Sequence, residues 1–329
     1  MTTQDSSDYY DRKTGLVIFG ILEIAMGCLS ALAMLLVLLG LVMSRDHSGP
    51  APVAFAPAIT MYAVAATSFI WLGVGSINAR RWARAILLCF SAVALVGGII
   101  ACACMAFVLP HMFDAMAQPG PSALQPAAMR AIKVVTAVVM FLFYVVIPGV
   151  LFLFYRSPHV KRTCEVRDPT ERWTDRCPLP VLAYSLPMGI GGIAILCVMP
   201  WFHAIPVFGV ALAGGLGLLA TALIAGVLLY LARGFYTLDV RAWWIALGML
   251  ILGGISGVVT FWRADLTDLY LKMGLDPRAA AMSAHLMTQP GPKWMMMLSM
   301  LPWLLWLFCI RHHFAVAPLA SEPKDNASP

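Results

Sequence analysis

Charge is what this chain has least of. Asp, Glu, Lys and Arg make up 12% of its 329 residues, against about 25% in soluble domains. With 61% hydrophobic residues and a mean hydropathy of +0.83, that shortage excludes a fold whose main solvent is water. Long basic runs are lacking too. The net charge of +6 is scattered over short segments between apolar stretches, a pattern that suits orientation in a membrane and contact with anionic head groups rather than nucleic acid. Paired cysteines of the Cys-x-x-Cys kind are absent among the eight cysteines, which removes the common zinc and redox motifs. There is no Walker loop, no GxGxxG, no HExxH and no GxSxG, so no phosphate cradle, dinucleotide site, zincin or nucleophile elbow is encoded.

What the chain does have is apolar runs of membrane-spanning length. They fall at 15–43, 54–77, 85–109, 132–155, 181–199, 207–232, 243–262 and 294–310. Each is near the length a helix needs to cross about 30 Å of hydrocarbon, the last being short. The first run is 29 residues, too long for the core of a signal peptide, and reads as a retained span. The expected fold is all-α: a polytopic bundle of eight spans with amphipathic helices in the two long connections near 110–128 and 263–293. In the second of these, Leu266, Leu269, Tyr270 and Met273 recur at helical spacing. Trp201 is placed like an interface aromatic.

The segment 156–180 divides the chain. It holds six of the 22 Lys and Arg residues (Arg156, Lys161, Arg162, Arg167, Arg172 and Arg176), with Glu165, Asp168, Glu171 and Asp175 among them. The expected organisation is a tail at 1–13, a four-span half at 14–155, the charged linker at 156–180, a second four-span half at 181–313 and a tail at 314–329. Fifteen Lys and Arg fall on the side of the tails and the linker and seven on the other. The positive-inside bias therefore places both termini and the linker in the cytoplasm.

The halves read as copies of one unit. Pro148-x-x-Leu-x-Leu-Phe recurs at Pro302, and Gly97-Gly98 recurs as Gly253-Gly254, each after a turn carrying Arg and Trp. Four spans per copy predict parallel halves about an axis along the membrane normal. Small residues let helices approach closely in lipid, so Gly97, Gly98, Gly253, Gly254 and Gly257 are candidate packing positions, as are Ala213, Gly217 and Thr221. Pro148 and Pro302 are candidate kinks.

Few residues could carry chemistry. Glu23 is the one ionisable residue well inside an apolar run and is a candidate functional group. The alternative is a hydrogen bond to a neighbouring helix, or a carboxylate reaching the head groups. His111 with Asp114, and Asp265, Asp268, Asp276 and His285, lack a third ligand at defined spacing and read as solvated helix faces. His159, Cys164 and Cys177 match no zinc spacing. His312-His313 point to different sides of a helix, and Met295, Met296, Met297 and Met300 read as flexible filler. No metal, cofactor or catalytic constellation is assigned. Arg172 and Arg176 are candidate contacts for a protein partner or lipid.

The phrases Thr163-Cys-Glu-Val-Arg-Asp-Pro and Arg172-Trp-Thr-Asp-Arg-Cys-Pro-Leu-Pro, with the Arg80-Arg81-Trp82-Ala83-Arg84 turn, resemble stretches in uncharacterised bacterial multi-pass membrane proteins. The resemblance implies a plasma-membrane protein and no particular activity. The expected function is a non-catalytic accessory, scaffold or sensory component. The alternative is a two-halved transporter or channel for an uncharged or lipid-like solute.

Overall fold

The computed structural model describes residues 10–43, 55–116, 126–199, 204–273, 277–288 and 290–314. Arg45 and Asp46 of the first connection, the turn at 118–121, Trp201, Asp276 and the C-terminal tail beyond Phe314 lie outside these residues. Hydrocarbon offers no partner to a bare N–H or C=O, so each apolar run closes its own bonds as a helix. Among the described residues, eight segments are long and apolar enough to cross a membrane, and the chain is a multi-pass helical bundle.

Helix α1 (Lys13–Met43) forms a hairpin with α2 (Ala56–Ile77). Small residues set their approach: a Cβ on Gly73 would stand 2.6 Å from the Gly20 carbonyl, and one on Gly27 would stand 3.0 Å from that of Ala66. Leucines and isoleucines such as Ile21, Leu29 and Leu36 on the outer face of α1 are exposed, as lipid-facing positions are. After a tight turn, α3 (Arg81–Met116) leads to α4 (Pro126–Phe141). A π-turn at Leu142–Val146 joins α4 to α5 (Ile147–Arg156). Pro148 has no N–H to offer the Tyr144 carbonyl four residues back. That carbonyl lies against α3 at Gly98, in the space a Cβ would take.

Segment 156–180, expected to be a linker, is folded. It holds α6 (Pro158–Arg167) and a 3₁₀ turn at Trp173–Asp175. Ser157 followed by Pro158 opens α6, with proline's missing N–H at a helix start where none is needed. We call 157–178 the clasp.

Helix α7 (Leu179–Val198) and α8 (Gly214–Tyr236) make a second hairpin. A Cβ on Gly192 would stand 3.1 Å from the Ala225 carbonyl. The sixth span was expected to start at 207. Instead 204–213 is a β-hairpin, with β1 (Ala204–Val207) antiparallel to β2 (Val210–Ala213), so Ala213 lies outside α8. Phe208 (φ 48°) and Gly209 (φ 84°) form its turn. Their amides donate to Ser256 Oγ and Thr260 Oγ1, both at 2.9 Å, on α9 (Val240–Arg263).

The connection after α9 holds α10 (Leu266–Lys272) and α11 (Pro277–Thr288). Leu266, Leu269 and Ala284 pack together against Ala211 and Phe261, so these apolar faces are covered by the chain itself. The last span is interrupted. α12 (Pro290–Leu298) ends at Ser299, and α13 (Met300–Cys309) starts two residues before Pro302.

Two turns share an unusual conformation. Ala79 after α2 and Leu238 after α8 take φ of 50° and 58°. In each, the next amide closes on a glycine carbonyl: Arg80 N on Gly75 at 2.9 Å and Asp239 N on Gly234 at 2.8 Å. Gly75 faces Ala83 and Gly234 faces Ala242. One core gathers Leu16, Leu72, Leu87, Tyr155 and Val160. The other gathers Val181, Leu231, Phe235, Trp243 and Leu307. Cys89 of α3 joins the second core, and α3 packs on α7, so α3 bridges them.

Candidate functional site

Glu23 is buried, 4% exposed, between α1, α2 and α5. Tyr155 Oη lies 2.9 Å from Glu23 Oε1 and 2.7 Å from Ser76 Oγ, and Ser76 Oγ donates to the Leu16 carbonyl at 3.1 Å. These three contacts in series need three protons. Ser76 and Tyr155 bring one each, and a carbonyl brings none. When Glu23 carries the third, it donates to Tyr155, Tyr155 to Ser76 and Ser76 to Leu16. When Glu23 is ionised, Tyr155 must donate to it, and Ser76 must divide one proton between Tyr155 and Leu16. The neutral acid alone completes the chain, and it also avoids a buried bare charge. Glu23 Oε2 has no hydrogen-bond partner among the described residues.

The clasp lies over the ends of the same helices. Its centre is Asp168, 2% exposed. Arg172 donates to it through Nη2 at 2.9 Å and Nε at 3.3 Å, a two-point grip suited to a carboxylate. The Arg81 amide donates at 3.4 Å, and Arg80 Nη1 stands at 3.7 Å. Burial pushes the Asp168 carboxyl up, but the Arg172 bonds, the Arg81 amide and the charges of Arg172 and Arg80 outweigh it and hold the carboxyl below its ordinary value. Arg81 also pairs with Asp175 at 3.3 Å.

The clasp reaches both cores. On one side Thr163 Oγ1 accepts from the Arg12 amide at 3.1 Å, His159 Nδ1 accepts from the Tyr10 amide at 3.3 Å, and Arg167 pairs with Asp11 at 2.8 Å. On the other, Tyr236 of α8 donates to the Trp173 carbonyl at 3.0 Å. Just beyond the clasp, Trp306 of α13 donates to the Pro180 carbonyl at 3.2 Å. Cys164 and Cys177 are buried free thiols, each pushed up to about 11 by burial. At neutral pH they stay protonated and pack as small apolar groups.

Of the two clasp arginines singled out in the sequence, Arg172 is committed to Asp168. Arg176 is exposed with no carboxylate in ion-pair reach among the described residues. A Cβ at Gly97, Gly253 or Gly254 would meet nothing within 4 Å; Gly98 is the one pressed on backbone, and Gly257 is half-buried in α9. Asp265 caps α10 through the amides of Thr267 and Asp268, and Asp268 pairs with Lys272 at 2.6 Å. His285 is exposed. His111 and Asp114 lie in the last turns of α3. Among the described residues, no three metal-ligating side chains converge. The rings of His312 and His313 lie 3.9 Å apart and tilted to one another beside Arg311, whose guanidinium lies 5.1 Å from the Trp243 ring centre.

Sequence reasoning missed Ser76, Tyr155 and Asp168. Ser76 and Tyr155 each end an apolar run and look like ordinary boundary residues. Only their shared position opposite Glu23 identifies them. Compared with models of known protein families, with curated proteins and with solved structures, the chain matches none.

Proposed function

We propose that this protein is a non-catalytic accessory or scaffold component of a bacterial plasma membrane, with the clasp and both termini on the cytoplasmic side. Asp168 carries the reading. Its buried carboxylate gathers Arg80, Arg81 and Arg172, and the segment around it is tied to α1, α3 and α8. The charged segment thus fixes the relative position of the helices and leaves Arg176 outward. A rigid platform with a projecting cation suits an assembly role better than a moving carrier. The test is affinity purification of the full chain from its native membrane. A partner retained at fixed stoichiometry by wild type and lost with Arg176→Glu supports the proposal. An unchanged set of companions overturns it.

We also propose that the halves are copies of one four-span unit related by an axis along the membrane normal. The supporting contacts recur at similar offsets, 165 positions for the glycine of the hairpin and 159 for the residues opposite it and for the turn. Gly27 lies against Ala66 and Ile70, and Gly192 lies against Ala225 and Leu229. The turns centre on Ala79 and Leu238, facing Ala83 and Ala242. Each second-half residue (225, 229, 238, 242) follows its counterpart (66, 70, 79, 83) by 159 positions.

One observation favours a carrier instead: Glu23 presents an unpartnered carboxyl oxygen inside a two-halved bundle. Solute flux in proteoliposomes, abolished by Glu23→Ala, would establish that second reading. Absence of flux over a broad panel of uncharged and lipid-like solutes would remove it.

A further inference from the structure

The outer face of the second hairpin carries an apolar trough of about 540 Å³. Gly189, Ile190 and Ile193 of α7 form its length, and Arg233, Trp173 and Tyr236 stand at its clasp end. From Leu182 to Ile193 the trough follows twelve residues of α7, about 17 Å of helical rise. The floor is low because Gly189 has no side chain; its Cβ would come within 3.4 Å of Ala232. Both hydroxyls in the lining are engaged: Ser185 donates to the Ala232 carbonyl at 2.7 Å, and Tyr236, at the clasp end, to the Trp173 carbonyl at 3.0 Å. Nothing polar along the length therefore asks for water.

The mouth is different. Arg233 is exposed and has no carboxylate in ion-pair reach among the described residues. Trp173 and Tyr236 flank it with ring centres 6.2 Å apart, fixed by the Tyr236–Trp173 hydrogen bond. A guanidinium with two amphipathic rings at the end of a greasy channel matches one ligand chemistry: a phosphate ester whose acyl chain lies along the channel. Arg grips phosphate oxygens in two-point fashion, and Trp and Tyr favour head-group depth.

We infer that this trough is a binding site for one anionic glycerophospholipid, its phosphate on Arg233 and one acyl chain along Gly189, Ile190 and Ile193. The inference rests on the proposed orientation only in assigning the lipid to the cytoplasmic leaflet. The deciding experiment is native mass spectrometry of the full chain, released from detergent after titration with phosphatidylglycerol or with phosphatidylcholine of the same chains. Wild type should retain one phosphatidylglycerol more tightly than Arg233→Gln, by about tenfold in apparent affinity. Phosphatidylcholine, whose phosphate charge is offset by its own choline, should show a smaller difference. Ile190→Trp, which fills an exposed stretch of the channel without touching either core, should weaken both lipids. Equal phosphatidylglycerol retention by wild type and Arg233→Gln overturns the site. The measurement has no inside or outside, so its failure speaks of the site alone. Labelling of Arg176→Cys by an impermeant maleimide from the cell exterior would overturn the orientation and leave the site standing.

Discussion

Tyr155 reaches from α5 to α1 and stands 2.9 Å from Glu23, while the same hydroxyl lies 2.7 Å from Ser76 on α2. One phenol oxygen thereby joins the first, second and fourth spans. Among the described residues Glu23 is the one buried carboxylate within a span, which makes this junction the place to look for a role beyond packing.

If Glu23 holds its proton, Glu23→Gln should be nearly silent. The amide can donate to Tyr155 as the acid does, and the chain through Ser76 to the Leu16 carbonyl stays complete. Thermal or detergent unfolding should show a change under about 0.5 kcal/mol, while Glu23→Ala loses the bond and opens a cavity, for about 1–2 kcal/mol. A Gln variant as unstable as the Ala variant would show that the junction needs a charged carboxylate. In a cycle with Tyr155→Phe, the coupling should be of order 0.6 kcal/mol, typical of interhelical hydrogen bonds in lipid.

The clasp should open in acid. Asp168 has a folded-state value held below its unfolded one, so its contribution is fully present above the unfolded value, about 3.9. It is lost as pH falls through the folded value. Hydrogen exchange over 157–178, corrected for the intrinsic rate, should report protection that is flat from pH 8 to 5 and collapses below about pH 4. Asp168→Asn should show reduced protection at every pH. Its cost should be near the low end for a broken buried pair, about 1–3 kcal/mol, because Arg80 and Arg172 are 46% and 36% exposed and regain water.

The hairpin turn on the far side offers a smaller test. Thr260 is 4% exposed and accepts from the Gly209 amide while donating to the Ser256 carbonyl. Thr260→Val keeps the shape and removes the acceptor. A loss of about 1 kcal/mol and faster exchange at Gly209 are expected; unchanged exchange there would mean that α9 does not hold the turn.

Length and apolarity made the spans legible, since a helix is the only economical way to carry such runs through lipid. The β-hairpin was not legible. The stretch Val207-Phe-Gly-Val-Ala-Leu-Ala213 is apolar throughout, and its turn uses Phe208 at φ 48°, a conformation that no turn residue other than the following glycine announces. Sequence alone makes the clasp a linker because it is a charged break between apolar runs. The signals of order were present: Ser157-Pro158 as a helix start and Lys161 four residues before Glu165, a pair 3.8 Å apart in the fold. Asp168 could not be told from its neighbours by sequence, because what distinguishes it is burial by α3 and the Arg80–Arg81 turn. Of the Gly-Gly pairs, pattern alone could not say which member faces a partner.

That last difference yields a matched pair of substitutions. Gly97 and Gly98 are adjacent on α3 and equal in helix propensity, so Gly→Ala at an open position should stabilise by up to about 1 kcal/mol. At Gly97 a Cβ meets nothing within 4 Å, and Gly97→Ala should show that gain. At Gly98 the new carbon would fall on the Tyr144 carbonyl, which is backbone in the π-turn before Pro148 and cannot rotate away. Gly98→Ala must push α5 from α3, and overpacking of this kind costs about 1–3 kcal/mol even where side chains can adjust. Thermal unfolding of the two variants should therefore move in opposite directions from wild type. Equal shifts, of either sign, would mean that α3 and the π-turn are not in contact at Gly98 and that the bend near Pro148 has another support.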